Sequence, residues 1–168
     1  MTTPELVIDA LTFGDIPRCA ALERRMFADD SPWPAAAFRA ELNAPYNTYF
    51  AARERLGADV IGYAGISTLG QPDAWECEIH TIAVDPDHRG RGVGRALLAA
   101  ASRHAAEVLD ARVLEMTVIA QRAELIAWYE RCGYALTGER RPFPASDPRF
   151  GLPRRDDLVF VVLAKALA

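Results

Sequence analysis

The sequence predicts an α/β domain with one mixed, mostly antiparallel sheet and flanking helices. The chain has 168 residues, which suits one domain with a sizeable core. Strand-like and helix-like segments follow the order strand, two helices, three strands, helix, strand, helix, two strands. The helix between the fourth and fifth strands allows a right-handed crossover, so those two strands are expected to be parallel. We therefore expect residues 1–168 to form a single domain.

The N-terminal elements follow from hydrophobic spacing and from residues that begin or end helices. Residues 6–8 are strand-like, and Thr12 or Asp15 can cap the helix that follows. Apolar residues repeat along that helix at helical spacing, namely Ile16, Cys19, Ala20, Leu22 and Phe27. The proline-containing run 29–34 ends it. A second short helix is expected over residues 34–42, because proline is tolerated at a helix start.

The remaining elements alternate between strands and helices. Six further strands are expected, over residues 47–53, 60–69, 76–84, 113–119, 135–138 and 158–163. An Ala- and Leu-rich helix is expected from about residue 93 to residue 109, and another over residues 124–132, ended by Gly133. The long loop before the last strand contains four prolines, Pro142, Pro144, Pro148 and Pro153.

Composition excludes several classes of protein. The net charge of −4 argues against a nucleic-acid or anionic-membrane surface. The N-terminus has no basic segment followed by a long apolar run, so neither a signal peptide nor a membrane-spanning helix is expected. The three cysteines are widely spaced and form no CxxC pair, which argues against a zinc site or a disulfide framework and for a reducing cytoplasm. We therefore expect a cytoplasmic protein without a bound metal.

A glycine-rich loop is the most informative feature of the chain. Residues 89–94 read Arg-Gly-Arg-Gly-Val-Gly, and they lie between an apolar strand and the start of the long helix. Backbone N–H groups in such a loop can point at an anion, and the positive end of the helix dipole adds to them. The order is not Gly-x-Gly-x-x-Gly, and no Gly-Lys-Ser/Thr follows. The loop predicts a phosphorylated ligand other than a dinucleotide or a nucleoside triphosphate.

Residues 82–98 resemble the acetyl-CoA signature of the GNAT acetyltransferase superfamily, whose core Gln/Arg-x-x-Gly-x-Gly/Ala is met by Arg89, Gly92 and Gly94. Residues 129–134, Tyr-Glu-Arg-Cys-Gly-Tyr, resemble its later helix-to-strand element. The resemblance implies acetyl-CoA as co-substrate and a GNAT-like sheet whose central parallel strands splay apart. It also implies a cofactor site at Ile82, Ala83, Val84, Arg89, Gly90, Arg91, Gly92, Val93, Gly94 and Arg95.

A finer resemblance covers about the first 100 residues. Residues 30–34 followed by Phe38, then residues 62–65 and 78–82, are similar to bacterial ribosomal-protein-alanine N-acetyltransferases. That resemblance implies that Glu115 is the general base and Tyr129 the general acid. The C-terminal part departs from it. The segment before the last helix is two residues longer, and residues 141–144 and 147–151 are more similar to GNAT members of unassigned specificity.

The residues themselves leave alternatives for both catalytic roles. Glu115 lies in an apolar strand, where a charge is costly unless it is paired or used, so an ion-paired or outward-facing Glu115 stays open. Glu78 and His80 share one strand face by period two and are rival bases. Tyr129 lies on the apolar face of its helix, so it is either a core residue or the group that protonates the leaving thiolate. Cys77 and Cys132 fit packing positions better than acyl carriers.

The first hypothesis is direct transfer of an acetyl group from acetyl-CoA to a primary amine in a ternary complex, with a protein N-terminal α-amine as acceptor. A small-molecule amine is the alternative acceptor. A non-catalytic acyl-CoA-binding module is the alternative class, and a nucleotide-binding protein is a third reading. The acceptor side is expected from residues 29–38 and 140–157, with Asp29, Asp30, Asp156 and Asp157 either attracting a cation or simply solvated. Either a monomer or a homodimer is compatible with the sequence.

Overall fold

One seven-stranded sheet organises the chain. A computed structural model describes residues 5–69, 76–142 and 158–167. The strands are β1 Val7–Ala10, β2 Asn47–Arg53, β3 Gly62–Leu69, β4 Glu76–Val84, β5 Val113–Ile119, β6 Ala135–Pro142 and β7 Val159–Ala166. They lie in the order β1-β2-β3-β4-β5-β7-β6. Among the strand pairs described, β4 with β5 is parallel and the others are antiparallel, which confirms the predicted sheet.

Helices cover both faces of the sheet. They are α1 Ile16–Met26, α2 Ala35–Asn43, α3 Val93–Glu107 and α4 Ala123–Arg131, with short 3₁₀ turns at Phe13–Asp15 and Pro86–His88. Residues of α1 and α2 share one hydrophobic cluster with Tyr49 and Tyr63, and residues of α3 and α4 share a second with Leu114 and Leu163. The sheet therefore separates two cores. No helix in the described part of the chain is both long and apolar enough to cross a membrane.

Most predicted elements are confirmed, and the differences have local causes. Phe27 was expected on the buried face of the first helix, but α1 ends at Met26 and Phe27 is 36% exposed. β6 extends to Pro142 rather than ending at Gly138, because its polar outer half still pairs with β7. Exposed side chains on this edge strand hide the alternation that marks a half-buried strand. The proline-rich residues 143–157 lie outside the described residues.

A bulge in β4 separates the central strands. β4 pairs with β5 over Glu76–Ile79, and the ladder ends at the pair Ile79–Met116. On its other edge, Thr81 pairs with Gly65 while Ile79 pairs with Ile66, so His80 is the extra residue of a bulge. The second half of β4 then turns away from β5. The predicted splay of the parallel strands is confirmed.

Ion pairs hold α1 against the end of β4. The buried Asp85 carboxylate accepts from Arg18 at 3.1 Å and from Arg25 at 2.7 Å, both on α1. Arg18 also donates to the Val60 carbonyl at 3.0 Å. The carboxylate of Asp85 accepts from the Asp87 backbone as well, at 3.1 Å. Because Asp85 directly follows β4, these bonds fix where the glycine-rich loop begins.

Candidate active site

A cavity of about 910 Å³ passes through the gap between β4 and β5. One end is lined by the glycine-rich loop and the first turn of α3, and the middle by the splayed ends of β4 and β5 with α4. The other end reaches the α1 face, where its lining includes Glu23, Met26, Phe27, Asp30 and Trp33. The two faces of the sheet are therefore connected through one channel.

The glycine-rich loop presents backbone donors at the first end of this cavity. Gly90 and Gly92 have positive φ of 77° and 82°, a region that glycine adopts without a Cβ penalty. Gly92 is the N-cap residue of α3, and no side chain caps that helix within the described structure. The first N–H groups of α3 are therefore available to an anion, assisted by the helix dipole.

Close packing shapes the same end of the cavity. A Cβ atom at Gly94 would lie 3.1 Å from Trp128 Cη2, so this glycine gives the indole of α4 its place beside the loop. Of the ten predicted cofactor residues, nine line the cavity, the exception being Arg91. Arg91 is 63% exposed and lies 3.5 Å from Glu54. Arg89 donates to the Val84 carbonyl at 3.3 Å, which ties the loop back to the end of β4.

Tyr129 reaches the cavity from α4, on the face of the sheet that α3 and α4 cover. It is 5% exposed, lines the cavity and belongs to the core beneath α3 and α4. Its ring packs against Trp128 and Tyr134 with centroid distances of 5.0 and 6.2 Å. Burial, more than any neighbouring charge, raises the pKa of Tyr129 to about 12, while Arg122 opposes the shift. The phenol therefore stays protonated at neutral pH and can donate a proton.

A polar row crosses four strands on the α1 face of the sheet. Asn47, Ser67, Glu78 and Glu115 are successive cross-strand partners on β2, β3, β4 and β5. Burial raises the pKa of Glu78 and the Glu115 carboxylate raises it further, whereas His80 and Arg141 lower it. Glu115 accepts a hydrogen bond from Arg141 Nη2 at 3.2 Å, and its side chain is 14% exposed. Two carboxylates thus lie side by side, and Arg141 pairs with one of them.

The three candidate bases differ in whether they line the cavity. Glu78 and His80 line the cavity, while Glu115 is outside its lining as far as the described residues define it. His80 Nε2 lies 2.8 Å from Glu41 Oε2, and His80 Nδ1 lies 3.3 Å from Ser67 Oγ. The sequence could not rank Glu78, His80 and Glu115 as candidate bases. The bulge at His80 and the contact that Arg141 makes from β6 both depend on residues that are distant in sequence.

Glu23 is a site residue that sequence reasoning missed. It is 5% exposed and lines the cavity from α1. Its carboxylate accepts hydrogen bonds from the Tyr63 hydroxyl and, at 3.1 Å, from the Trp33 backbone N–H. It follows Cys19 by one helical turn, so a charge on the apolar face of α1 was the signal available. Of the four predicted acceptor-side aspartates, Asp30 lines the cavity, and Asp156 and Asp157 lie outside the described residues.

A splayed parallel pair, a glycine-rich helix start and a channel through the sheet together define an acyltransferase-like site. Residues 16–134 match the acetyltransferase (GNAT) family, and the chain belongs to this family. It is 42% identical over 141 residues to N-alpha-acetyltransferase RimI of Mycobacterium tuberculosis, covering 84% of this chain and 85% of that protein. It is 30% identical over 146 residues to the [ribosomal protein bS18]-alanine N-acetyltransferase of Escherichia coli, covering 84% and 90%.

Solved structures agree on the fold. The crystal structure of Arabidopsis thaliana NAA60 in complex with acetyl-CoA superposes with a TM-score of 0.74 at 16% identity, over 96% of this chain and 98% of that one. At this identity the likeness concerns the fold alone. It confirms the mixed GNAT-like sheet with the splayed central pair.

Proposed function

We propose that the chain transfers an acetyl group from acetyl-CoA to the α-amine of a protein N-terminus, by direct attack in a ternary complex. The observation that carries the proposal is the channel through the sheet, which joins an anion-binding loop on one face to a carboxylate-lined chamber on the other. The relatives named above are by name an N-alpha-acetyltransferase and a [ribosomal protein bS18]-alanine N-acetyltransferase, which favours a protein α-amine as the acceptor. Family membership supports the acetyl donor.

The donor end would hold the diphosphate of coenzyme A. The N–H groups of residues 92–95 supply the hydrogen bonds, and the side chains of Arg89 and Arg95 add positive charge near the phosphates. Beyond the bulge, the β5-facing edge of Ile82, Ala83 and Val84 borders the cavity, so amides of the pantetheine arm would pair there as an added strand. The thioester would then lie in the gap beside Tyr129.

The reaction needs a neutral amine and a protonated leaving group. An α-amine of pKa near 8 costs less than about 1 kcal/mol to deprotonate at pH 7.5, whereas a lysine costs roughly 4 kcal/mol. The amine nitrogen attacks the thioester carbonyl, an N–C bond forms and the C–S bond breaks. The proton lost by nitrogen goes to a carboxylate, and the departing sulfur receives one from Tyr129. Positioning of the two substrates supplies perhaps 7–11 kcal/mol of the barrier reduction.

The base belongs to the Glu78–Glu115 pair. Glu115 is the base implied by the family resemblance, and it would act through water, since it lies outside the cavity lining of the described residues and pairs with Arg141 through Oε1. Glu78 lines the cavity itself and has a raised pKa, which suits a proton acceptor near neutrality. The two roles are separable with Glu78→Gln and Glu115→Gln, because the base variant loses kcat while its neighbour mainly shifts the pH profile.

The test compares three acceptors, namely one peptide in two forms and a polyamine. Purified protein is incubated with acetyl-CoA and a peptide that starts with Ala and contains one internal Lys, with the same peptide blocked at its N-terminus, and with a free polyamine. Thiol release gives the rate, and mass spectrometry gives the acetylated position. We expect acetylation of the α-amine alone. Preferential acetylation of the polyamine would move the acceptor to the small-molecule class, and coenzyme A binding without transfer would indicate a binding module.

A further inference from the structure

The cavity begins at different points along the two central strands. On β4 its lining begins at Glu78, and on β5 it begins at Met116, one residue beyond Glu115, as far as the described residues define it. Glu78 and Glu115 are direct partners in the parallel ladder, so their side chains lie on the same face of the sheet. Of these two neighbouring carboxylates, one borders the space that an acceptor would enter and the other lies just outside it.

Glu115 is engaged by a cation. Its Oε1 accepts a hydrogen bond from Arg141 Nη2 at 3.2 Å, and its side chain is 14% exposed. Arg141 reaches it from β6, which is two strands away in the sheet. The same guanidinium donates through Nε to Glu139 at 2.9 Å. Because an arginine side chain stays charged in proteins, the cation of this pair is present at every pH at which the enzyme would work.

Glu78 has no such partner within the described part of the chain. Its carboxylate makes neither a hydrogen bond nor an ion pair to another described residue. Burial raises the pKa of Glu78, and the neighbouring Glu115 carboxylate raises it further, whereas the two nearby cationic or titratable side chains, His80 and Arg141, oppose the rise. The described charged and titratable groups around it are Glu115 on β5, Arg141 and its partner Glu139 on β6, His80 on β4 and its partner Glu41 on α2, and Glu23 and Asp30, which line the same cavity.

Resting on the function proposed above, we propose that Glu78 is the carboxylate that takes the proton of the acceptor amine, and that Arg141 is a positioning residue that holds the adjacent Glu115 in an ion pair. This assignment reverses the one that the family resemblance implies. The amine nitrogen gives its proton to Glu78 as the N–C bond forms, and the departing sulfur receives a proton from Tyr129 as the C–S bond breaks. Arg141 does not touch the reacting atoms. It compensates the charge of Glu115, which would otherwise repel the charge on Glu78.

The test is the pH profile of acetyl transfer in wild type and three single variants. Glu78→Gln should lower kcat by about 10²- to 10⁴-fold, the usual contribution of a general base. Glu115→Gln removes a neighbouring negative charge, so the acidic limb of kcat/KM for the acceptor should move to lower pH, and kcat should fall much less than in Glu78→Gln. Arg141→Gln leaves Glu115 without its cation, so the same limb should move to higher pH.

A neighbouring arginine supplies the matched control. Arg140 is also on β6 and is exposed, so Arg140→Gln removes the same charge and should leave the limb in place. Arg141→Lys keeps a cation and should have its limb closer to wild type than Arg141→Gln. If Arg141 acts through Glu115, Arg141→Gln should shift the limb less in a Glu115→Gln background than in wild type. Thermal unfolding verifies that each variant is folded.

A second readout is independent of activity. Carbon-13 nuclear magnetic resonance of the Glu78 carboxyl follows its titration directly, and we expect its pKa to fall in Glu115→Gln and to rise in Arg141→Gln. A Glu78 titration that stays in place in Arg141→Gln overturns the role of Arg141, even if no acetyl transfer is found. A larger loss of kcat in Glu115→Gln than in Glu78→Gln, while wild type transfers acetyl groups, overturns the assignment of the base. Absence of transfer by wild type, with both shifts of Glu78 as expected, overturns the proposed function instead.

Discussion

Replacement of Tyr129 by Phe tests the proposed acid most directly. The change removes one hydroxyl from a buried ring whose packing against Trp128 and Tyr134 does not depend on it. With a pKa of about 12, roughly one phenol in thirty thousand is ionised at pH 7.5, so the donor form is present throughout the neutral range. General acid catalysis contributes about 10²- to 10⁴-fold. We expect kcat to fall by this factor.

The assay is steady-state thiol release together with calorimetric titration of acetyl-CoA. Because the hydroxyl acts on the departing sulfur rather than on the bound donor, the dissociation constant for acetyl-CoA should stay near that of wild type. Tyr134→Phe is the matched control. Tyr134 is as buried as Tyr129, and burial likewise raises its pKa to about 12, but it lies outside the cavity lining as the described residues define it.

The two variants separate chemistry from packing. Equal losses of kcat would attribute the effect of Tyr129→Phe to the core rather than to proton transfer. A Tyr129→Phe enzyme that keeps the wild-type kcat would refute the assignment outright. A fall in kcat confined to Tyr129→Phe, with both melting temperatures near wild type, is the expected outcome.

Four further substitutions probe the loop, the sheet and the two cavity carboxylates. Gly92→Ala forces a Cβ onto a φ of 82° at the start of α3, and Gly57→Ala does the same at 78° in the β2–β3 turn. Each substitution should lower the free energy of unfolding, measured with denaturant, by about 1 kcal/mol, but only Gly92→Ala should weaken acetyl-CoA binding. Gly65→Ala would place its Cβ 2.4 Å from Tyr49 Cζ and should cost about 1–3 kcal/mol, unlike Gly14→Ala, whose Cβ meets Thr12 at 3.6 Å. Because Glu23 lines the α1 end of the cavity, Glu23→Gln should raise the KM for the acceptor and leave the affinity for acetyl-CoA unchanged. An unaltered KM would show that Glu23 does not contact the acceptor. Since the pKa of Glu78 is raised in the fold, its ionisation opposes folding at pH values above its ordinary pKa. Glu78→Gln should therefore have a higher melting temperature at pH 7.5 and a lower kcat. Glu76→Gln, a change at an exposed residue, is the control and should alter neither.

Local signals predicted most of the fold. β2, β4 and β5 are bounded as their hydrophobic runs indicate, and α4 ends where Gly133 adopts a φ of 100°. The outer half of β6 escaped prediction because its side chains are exposed and its pairing with β7 is decided by tertiary contacts. The bulge at His80 escaped for the same reason. It is a mismatch between two strands and has no signature within either one.

The candidate site also contains residues that local sequence predicts and residues whose roles depend on distant partners. The glycine-rich loop could be predicted from the sequence, because a phosphate-binding helix start is built from neighbouring residues at a known spacing. Nine of the ten predicted cofactor residues line the cavity. The roles of the carboxylates Glu78 and Glu115 could not be predicted in this way, because they depend on partners that are distant in sequence. Arg141 reaches Glu115 across 26 positions, and Glu41 reaches His80 across 39. Sequence reasoning could name Glu78, His80 and Glu115 as candidates, but it could not show which partner each of them would have in the fold.

The cost of the polar row explains its arrangement. Two neighbouring carboxylates in a partly buried sheet repel each other and lose hydration, so an isolated pair would be expected to keep one member protonated. Here Arg141 pairs with Glu115 at 3.2 Å and is itself held by Glu139 at 2.9 Å, so Glu115 has a cation within the fold. The pKa of Glu78 is raised, because burial and the Glu115 carboxylate outweigh the opposing effects of His80 and Arg141. One carboxylate of the row is thus engaged in an ion pair while the pKa of its neighbour is raised, and a raised pKa suits a proton acceptor that works near neutral pH.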